Sequence, residues 1–440
     1  MEDLWIGLGG LAVLIVLLAI GVHVGVALAV TGFAGVVLMT NFNSGATLLA
    51  SGFFYKIADK SLITVPLFVL MGLLAAAGEI SDNLYNAAAV WMNKVKTGLG
   101  MATVVACAGF GAVCGSSLVT ASVFAKVSAP HMRTRGYSKQ LSYGICASAG
   151  MIGMLIPPSV LAVIYAFVSG ESVGKLQIAG AGPGILITIL FGLGLFILSK
   201  IKPQWVNPSS GDIKITWKKR LNSLLPTWPV LIVACVVFGG VFRGVFSPTE
   251  AASIAAFIML VLLIVIRRRK AKRDLLYAFT ETSAVCAMIF VITGGGTVFS
   301  NFLVLSGVTP MVTKFILGSG LSVMSMVLAI IVLYLILGCF LDGISMVVIT
   351  VPVLHPVMVS LGVDPVWYAM VAILSMEIGL ITPPVGLNVY GTQAVAEPDV
   401  RVEDVFAGSI PFFFMALIGL GILLAFPQVA TFLPNVMIPR

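Results

Sequence analysis

The sequence predicts an all-α polytopic membrane protein made of two inverted-topology repeats, each of five transmembrane helices plus one re-entrant hairpin. Three observations predict it. Of 440 residues, 59% are hydrophobic and only 10% charged, with mean hydropathy +1.12, whereas a soluble domain carries about 25% charged residues. Apolar runs long enough for the roughly 20 residues of a bilayer-spanning helix recur along the chain. Four of these runs are interrupted near their middles, at matching places in the two halves.

The spans are ordered by their basic flanks, because Lys and Arg in short loops mark the cytoplasmic side. The basic run at 267–273 is the strongest mark, so the span at 251–266 exits inward. Working back, the span at 228–242 starts inside beside Lys214, Lys218, Lys219 and Arg220. The span at 177–199 runs inward toward Lys200 and Lys202, and the span at 140–170 runs outward. Arg133, Arg135, Lys94 and Lys96 fall inside. The spans at 5–22, 24–42 and 63–78 then give a periplasmic N-terminus. That terminus is acidic, without the basic n-region of a signal peptide. Lys56 and Lys60 end up outside, on an interfacial amphipathic helix from which lysines snorkel. The six cysteines lie in apolar stretches without a CxxC pair and read as small buried hydrophobes. No Walker loop, zinc spacing or nucleic-acid signature is present.

Two apolar stretches do not fit one crossing. The first, at 97–130, lies between two inside loops and is broken by Gly115-Ser116-Ser117. Each half is about 22 Å long at 1.5 Å per residue, short of the roughly 30 Å hydrocarbon core. A hairpin with its tip near mid-membrane resolves both problems. The stretch at 321–361, broken around Asp342-Gly343 and Ser345, has the same design and enters from outside. Each hairpin precedes a helix broken by a double proline, at 138–170 (Ile156-Pro157-Pro158-Ser159) and at 365–396 (Thr382-Pro383-Pro384). Proline removes a backbone donor and clashes with the preceding turn. Inside a membrane such a break persists only where it is buried in protein or lines a cavity.

The breaks repeat. Gly153 and Gly379, and Pro157 and Pro383, differ by 226; Gly115 and Gly343, and Ser117 and Ser345, by 228; Phe68 and Phe290, and Gly72 and Gly294, by 222. The repeats are assigned to 1–200 and 228–440, joined by a cytoplasmic linker at 201–227. An odd number of crossings in each half inverts the second repeat. Inverted repeats whose broken helices meet at the midplane are the architecture of secondary transporters.

Unwound helix ends expose carbonyls and hydroxyls that suit a hard cation. One candidate Na⁺ site takes Gly115, Ser116, Ser117, Thr120, Ile156 and Pro157; a second takes Asp342, Gly343, Ser345, Thr382, Pro383 and Asn388. Helix N-termini at the same breaks favour an anionic substrate, with Ser159, Gly294, Gly295, Thr297 and Glu377 as candidate contacts. Small residues are also packing residues in membrane bundles. The 293–297 run therefore reads either as a substrate-lining break or as a close-packing site, and Glu377 as a proton, substrate or helix-pairing group. Glu250 reads as the cap of a span, and His23, His131 and His355 are isolated and carry no assigned role.

The order of these motifs, with Ser247-Pro248-Thr249-Glu250-Ala251-Ala252 and Leu341-Asp342-Gly343-Ile344-Ser345, resembles the large membrane subunit of tripartite ATP-independent periplasmic (TRAP) transporters over essentially the whole chain. The resemblance implies an elevator mechanism, with a transport domain from 97–200 and 282–435 and a scaffold from the remainder. It implies Na⁺-coupled import of an organic acid of the sialic acid or C4-dicarboxylate type across a bacterial inner membrane. It also implies two partners, a separate small four-helix membrane subunit and a periplasmic substrate-binding protein. A stand-alone proton- or sodium-coupled anion exchanger of the same elevator superfamily is the alternative. An intramembrane enzyme is the remote one, since no histidine lies near the serine breaks in sequence.

Overall fold

The computed structural model describes residues 2–206, 216–242, 244–318 and 320–437. The part of the predicted linker at 207–215, with Lys214, lies outside them. Among the described residues the only strand-like feature is an isolated bridge between Tyr137 and Val206. The first half contains α1 (Glu2–Ala19), α2 (Val24–Met39), α3 (Phe42–Ile57), α4 (Thr64–Ala77), α5 (Ile80–Met92), α6 (Gly98–Cys114), α7 (Ser117–Thr134), α8 (Lys139–Ala149), α9 (Ile152–Leu155), α10 (Val160–Ser169) and α11 (Val173–Ile201). The short α12 (Trp217–Leu224) follows. The second half contains α13 (Trp228–Ala234), α14 (Gly240–Phe242), α15 (Pro248–Arg267), α16 (Ala271–Leu305), α17 (Val308–Gly318), α18 (Val323–Gly338), α19 (Gly343–Ser360), α20 (Pro365–Gly379), α21 (Leu387–Gln393), α22 (Val402–Ala425) and α23 (Gln428–Met437).

Among the described residues seven helices are long and apolar enough to cross a membrane, or nine if each of two bent pairs is one span. The difference from ten predicted crossings is local. Helix α2 has only 16 residues and the break between α20 and α21 is long, while α19, read as half a hairpin, is itself 18 residues long. Helix α4 bends by 65° into α5 at Glu79, whose φ is +60°. The first hairpin's second helix runs to Thr134 rather than stopping at 130, carrying Pro130 inside it.

Polar caps set where the helices start. Ser116, Ser138, Ser159 and Ser172 cap α7, α8, α10 and α11 by accepting a backbone N–H from the first turn. Each cap satisfies a donor that would otherwise be orphaned. Ser247 and Glu250 form a capping box at the start of α15, as read from the sequence.

The helices gather into two bodies. In one, α2, α3 and α4 pack on the 35-residue α16, with α15 against α4. The ends of that body are fastened by Arg267, which pairs with Asp274 at 2.8 Å and with Glu79 at the α4–α5 bend. In the other, the two halves of the chain exchange partners. Helix α7 packs on α21 and α19 on α10, while α22 packs on α8 and α11 on α20. Five of the six cysteines are buried as expected; Cys235 is exposed.

Candidate functional site

The site forms where the two hairpin tips meet the two broken helices. At the first tip the chain leaves α6 through Gly115, with φ +65°, a conformation that favours glycine. Ser116 then caps α7, accepting from Val119 N–H at 3.4 Å, and its carbonyl accepts from the Thr120 hydroxyl at 2.7 Å. The Gly115 carbonyl accepts from Val160 N–H at 3.3 Å, which ties the tip to the first broken helix. That helix pair bends by 47° at Ile156, Pro157 and Pro158.

At the second tip Asp342 caps α19, its carboxylate accepting from Ile344 N–H at 3.0 Å, Ser345 N–H at 3.2 Å and the Ser345 hydroxyl. Asp342 therefore holds the tip shut on itself, with lone pairs left over, rather than standing as an isolated intramembrane acid. Gly343 lies against Leu161 of the broken helix in the first half of the chain. At the second break, Thr382 donates to the Ile378 carbonyl at 2.8 Å and Asn388 N–H to the Leu380 carbonyl at 3.1 Å.

Each hairpin meets its broken helix through a pair of glycines. A Cβ on Gly111 would stand 2.6 Å from the Cα of Gly153, and one on Gly338 2.6 Å from the Cα of Gly379. No side chain fits on Gly111 or Gly338; in the second half the contact is reciprocal, a Cβ on Gly379 standing 2.7 Å from the Cα of Gly338, whereas one on Gly153 would meet the Thr120 side chain at 2.4 Å.

The first predicted cation cluster touches Glu377, a candidate substrate contact. The Ser117 hydroxyl donates to Glu377 Oε1 at 3.4 Å, joining the first hairpin tip to the second broken helix. Glu377 is fully buried, and its Oε2 has no partner. In the first turn of α21, directly after the break, Asn388 is also fully buried with neither amide atom paired among the described residues, and the Thr392 hydroxyl one turn on is likewise without a partner there. Buried polar atoms without partners are rare and costly. Carboxylate, amide and hydroxyl oxygens are donors of the kind hard cations take. The N-termini of α7, α10, α19 and α21 all start at these breaks, which adds partial positive charge there.

The remaining predicted residues divide. Ser159 is buried, its hydroxyl caps α10 by accepting from Ala162 N–H at 3.1 Å, and no open space adjoins it in the cavities described below. The 293–297 run is not a break, because α16 continues through it. A Cβ on Gly294 would meet the Phe53 ring at 2.6 Å, and Gly295 faces the backbone of Gly25 on α2. These two glycines are packing positions; Thr297 instead borders a polar cavity. A second, mostly apolar cavity of about 90 Å³ lies between the two bodies at the tips, bordered by Gly72, Leu73, Ser116, Met154, Ile289 and Ile344.

Sequence reading missed two groups. Gln177 of α11 clamps the first break, accepting from Ser159 N–H at 2.8 Å and donating to the Ser159 carbonyl at 2.9 Å. Its signal was a polar amide in an apolar span, which is functional or structural by default. His355, set aside as isolated, is buried against Tyr165 (3.0 Å) and Glu171 (3.4 Å). Those partners are more than 180 residues away, so no local pattern announces them.

Residues 11–429 match a family described as "Tripartite ATP-independent periplasmic transporter, DctM component". The chain is 29% identical over 96% of its length to the ectoine TRAP transporter large permease protein TeaC of Halomonas elongata, covering 97% of that protein. It is 31% identical to the ectoine/5-hydroxyectoine large permease UehC of Ruegeria pomeroyi, with 96% of each chain covered. It is 29% identical to the sialic acid large permease SiaM of Vibrio cholerae, covering 96% of this chain and 97% of that one. In fold it is similar to the YdaH transporter of Alcanivorax borkumensis, with TM-score 0.60, 16% identity and 88% of each chain covered. It is likewise similar to MtrF of Neisseria gonorrhoeae, with TM-score 0.57, 14% identity, and 88% of this chain and 84% of that one covered.

Proposed function

The chain belongs to the DctM family of TRAP transporter large permeases, and from that premise we propose that it is the Na⁺-coupled subunit that carries an organic acid inward by an elevator movement. A periplasmic binding protein delivers the substrate, and a small four-helix membrane subunit completes the assembly in the inner membrane. Ectoine, C4-dicarboxylate and sialic acid name the substrates of relatives; the carboxylate is common to all three.

One observation carries the coupling. Ser117 of one hairpin bonds Glu377 of the other half's broken helix, and among the described residues Glu377 Oε2 and, at the same break, Asn388 Oδ1 are buried oxygens without protein partners. Na⁺ entering there would satisfy those oxygens. The first ion draws on Gly115, Ser116, Ser117, Thr120 and the carbonyls of Ile156 and Pro157. The second draws on Asp342, Gly343, Ser345, Thr382, Pro383 and Asn388. Glu377, bonded to Ser117, communicates between the two groups.

The inverted repeat is supported by the paired glycine contacts at Gly111–Gly153 and Gly338–Gly379. It is also supported by the sides assigned to the loops. Arg133 and Lys139, placed inside, pair with Glu397, Asp399 and Asp404, which inversion also places inside. Arg267 and Glu79 agree on the inside, and His355 and Glu171 on the outside. The moving domain in this reading is the body of exchanged hairpins and broken helices, and the scaffold is the body around α16.

Reconstitution tests the proposal. With the small subunit and the binding protein present, substrate accumulates in proteoliposomes, and omitting either partner abolishes accumulation. Full uptake by this chain alone, indifferent to Na⁺, would sink it and favour the stand-alone exchanger.

A further inference from the structure

We propose that Lys56, Ser300 and Asn301 form a carboxylate-receiving site between the two bodies, distinct from the hairpin tips, at which the organic anion first enters the permease. The proposal rests on the import reading above. It starts from a cavity of about 170 Å³ bordered by Lys56 of α3, Thr297, Ser300 and Asn301 of α16, Phe167 of α10 and Pro352 of α19.

Residues 297, 300 and 301 are three and four apart, so they share one face of α16. That face is polar within the apolar C-terminal half of α16, and it borders a cavity whose other wall is α10 and α19 of the other body. The Thr297 hydroxyl is used within α16, donating to the Thr293 carbonyl at 3.0 Å. Ser300 and Asn301 make no side-chain hydrogen bond among the described residues. Their donors are free at the cavity.

Lys56 supplies the charge. Its Nζ lies 4.6 Å from the centre of the Phe167 ring, and among the described residues no carboxylate pairs with it. Glu171, the acid just beyond α10, is engaged by His355. A half-buried ammonium held only by an aromatic face lacks the anionic partner that partly desolvated charges require. An ammonium, a hydroxyl and an amide N–H together can serve both oxygens of one carboxylate. The tip cavity offers Ser116 as its only hydroxyl and no charge, so it suits the apolar remainder of a ligand better than its carboxylate.

The cavity also has the right walls. Lys56 and Ser300 belong to the α16 body, and Phe167 and Pro352 to the hairpin body. An anion held there bridges the two surfaces that slide in an elevator movement. By the loop charges, the C-terminal ends of α10 and α16 and the end of α3 all face outside, where the substrate arrives.

The site is tested first without transport. Ser300→Cys is placed in a Cys235→Ser background, which removes the one exposed native cysteine. The complete assembly is labelled from the periplasmic side with anionic sulfonatoethyl or cationic trimethylammonioethyl methanethiosulfonate. The anionic reagent is expected to react about tenfold faster, as a focused cationic site concentrates anions by that order. Lys56→Met abolishes that preference and Lys56→Arg keeps it. Equal rates for the two reagents, a preference unchanged by Lys56→Met, or no labelling would overturn the proposal. In uptake of succinate, N-acetylneuraminate or ectoine by the complete assembly, Lys56→Met raises the half-saturating concentration about tenfold, the loss of one charge-assisted hydrogen bond. An unchanged half-saturation with a transported probe would also overturn it. Failure of all three probes in the wild type would refute the import reading, while the labelling ratio still decides the site.

Discussion

The Ser117 hydroxyl reaches Glu377 Oε1 at 3.4 Å, across 260 residues of sequence, and is the only bond to that buried carboxylate among the described residues. The pair joins a hairpin in the first half of the chain to a broken helix in the second. Ser117→Ala and Glu377→Gln should therefore not act independently. Each alone is expected to raise the Na⁺ concentration for half-maximal uptake about tenfold, and the double variant by less than the product of the two. The shortfall should correspond to a coupling of about 0.5–3 kcal/mol, as for residues in one network. Additive effects in a double-mutant cycle would break the link between the two clusters.

Gly111 and Gly338 should tolerate alanine equally badly. In both, the added methyl meets backbone at 2.6 Å, which cannot move aside as a side-chain tip does. Overpacking of this kind costs about 1–3 kcal/mol. Thermal unfolding of the purified chain in detergent should show similar drops for Gly111→Ala and Gly338→Ala. A loss in one and none in the other would separate the two halves.

Gln177→Leu removes both bonds to the Ser159 backbone while keeping apolar volume. The N–H and carbonyl left unpaired in a buried break cost about 1–3 kcal/mol each. The expected outcome is a destabilised assembly with reduced uptake, whereas Gln177→Glu, which can still accept from Ser159 N–H, retains more of both. Equal stability of Gln177→Leu and wild type would remove the clamp from the account.

These residues also show what the sequence makes legible. Local chemistry was readable. The double prolines marked the breaks, and Ser247 and Glu250 marked a capped helix start. Side-chain direction across elements was not. Asp342 could be placed at a hairpin tip, but not its bonds to the N–H groups of its own helix. The glycine run at 293–297 supports a break or a close contact equally well, and Gly25 on a distant helix decides for contact. Gln177 and His355 gain meaning only from residues that folding brings to them.

The ion cluster at Arg133 is expected to respond to pH with a definite sign. The Arg133 guanidinium beside Asp399 (2.8 Å) holds that carboxyl below its ordinary range. A carboxylate with a lowered folded-state pKa contributes stability above its unfolded pKa of about 3.9 and loses it as pH falls through the folded value. The unfolding midpoint should thus be insensitive to this pair from pH 5 to 7 and fall in more acidic buffer. Arg133→Gln should flatten that acid limb. An acid limb of the same depth in Arg133→Gln and wild type would assign it to other carboxylates.

The most direct test of the account is initial uptake into proteoliposomes holding the complete assembly, measured with an inward Na⁺ gradient and again with K⁺ replacing Na⁺. Cation sites at the hairpin tips predict uptake at least about tenfold faster with Na⁺, the scale on which one ligand's differential binding shifts a transport equilibrium, and a rise with Na⁺ concentration steeper than a single site gives. Equal rates in Na⁺ and K⁺ would contradict the assignment of Ser117, Glu377 and Asn388 to cation coupling.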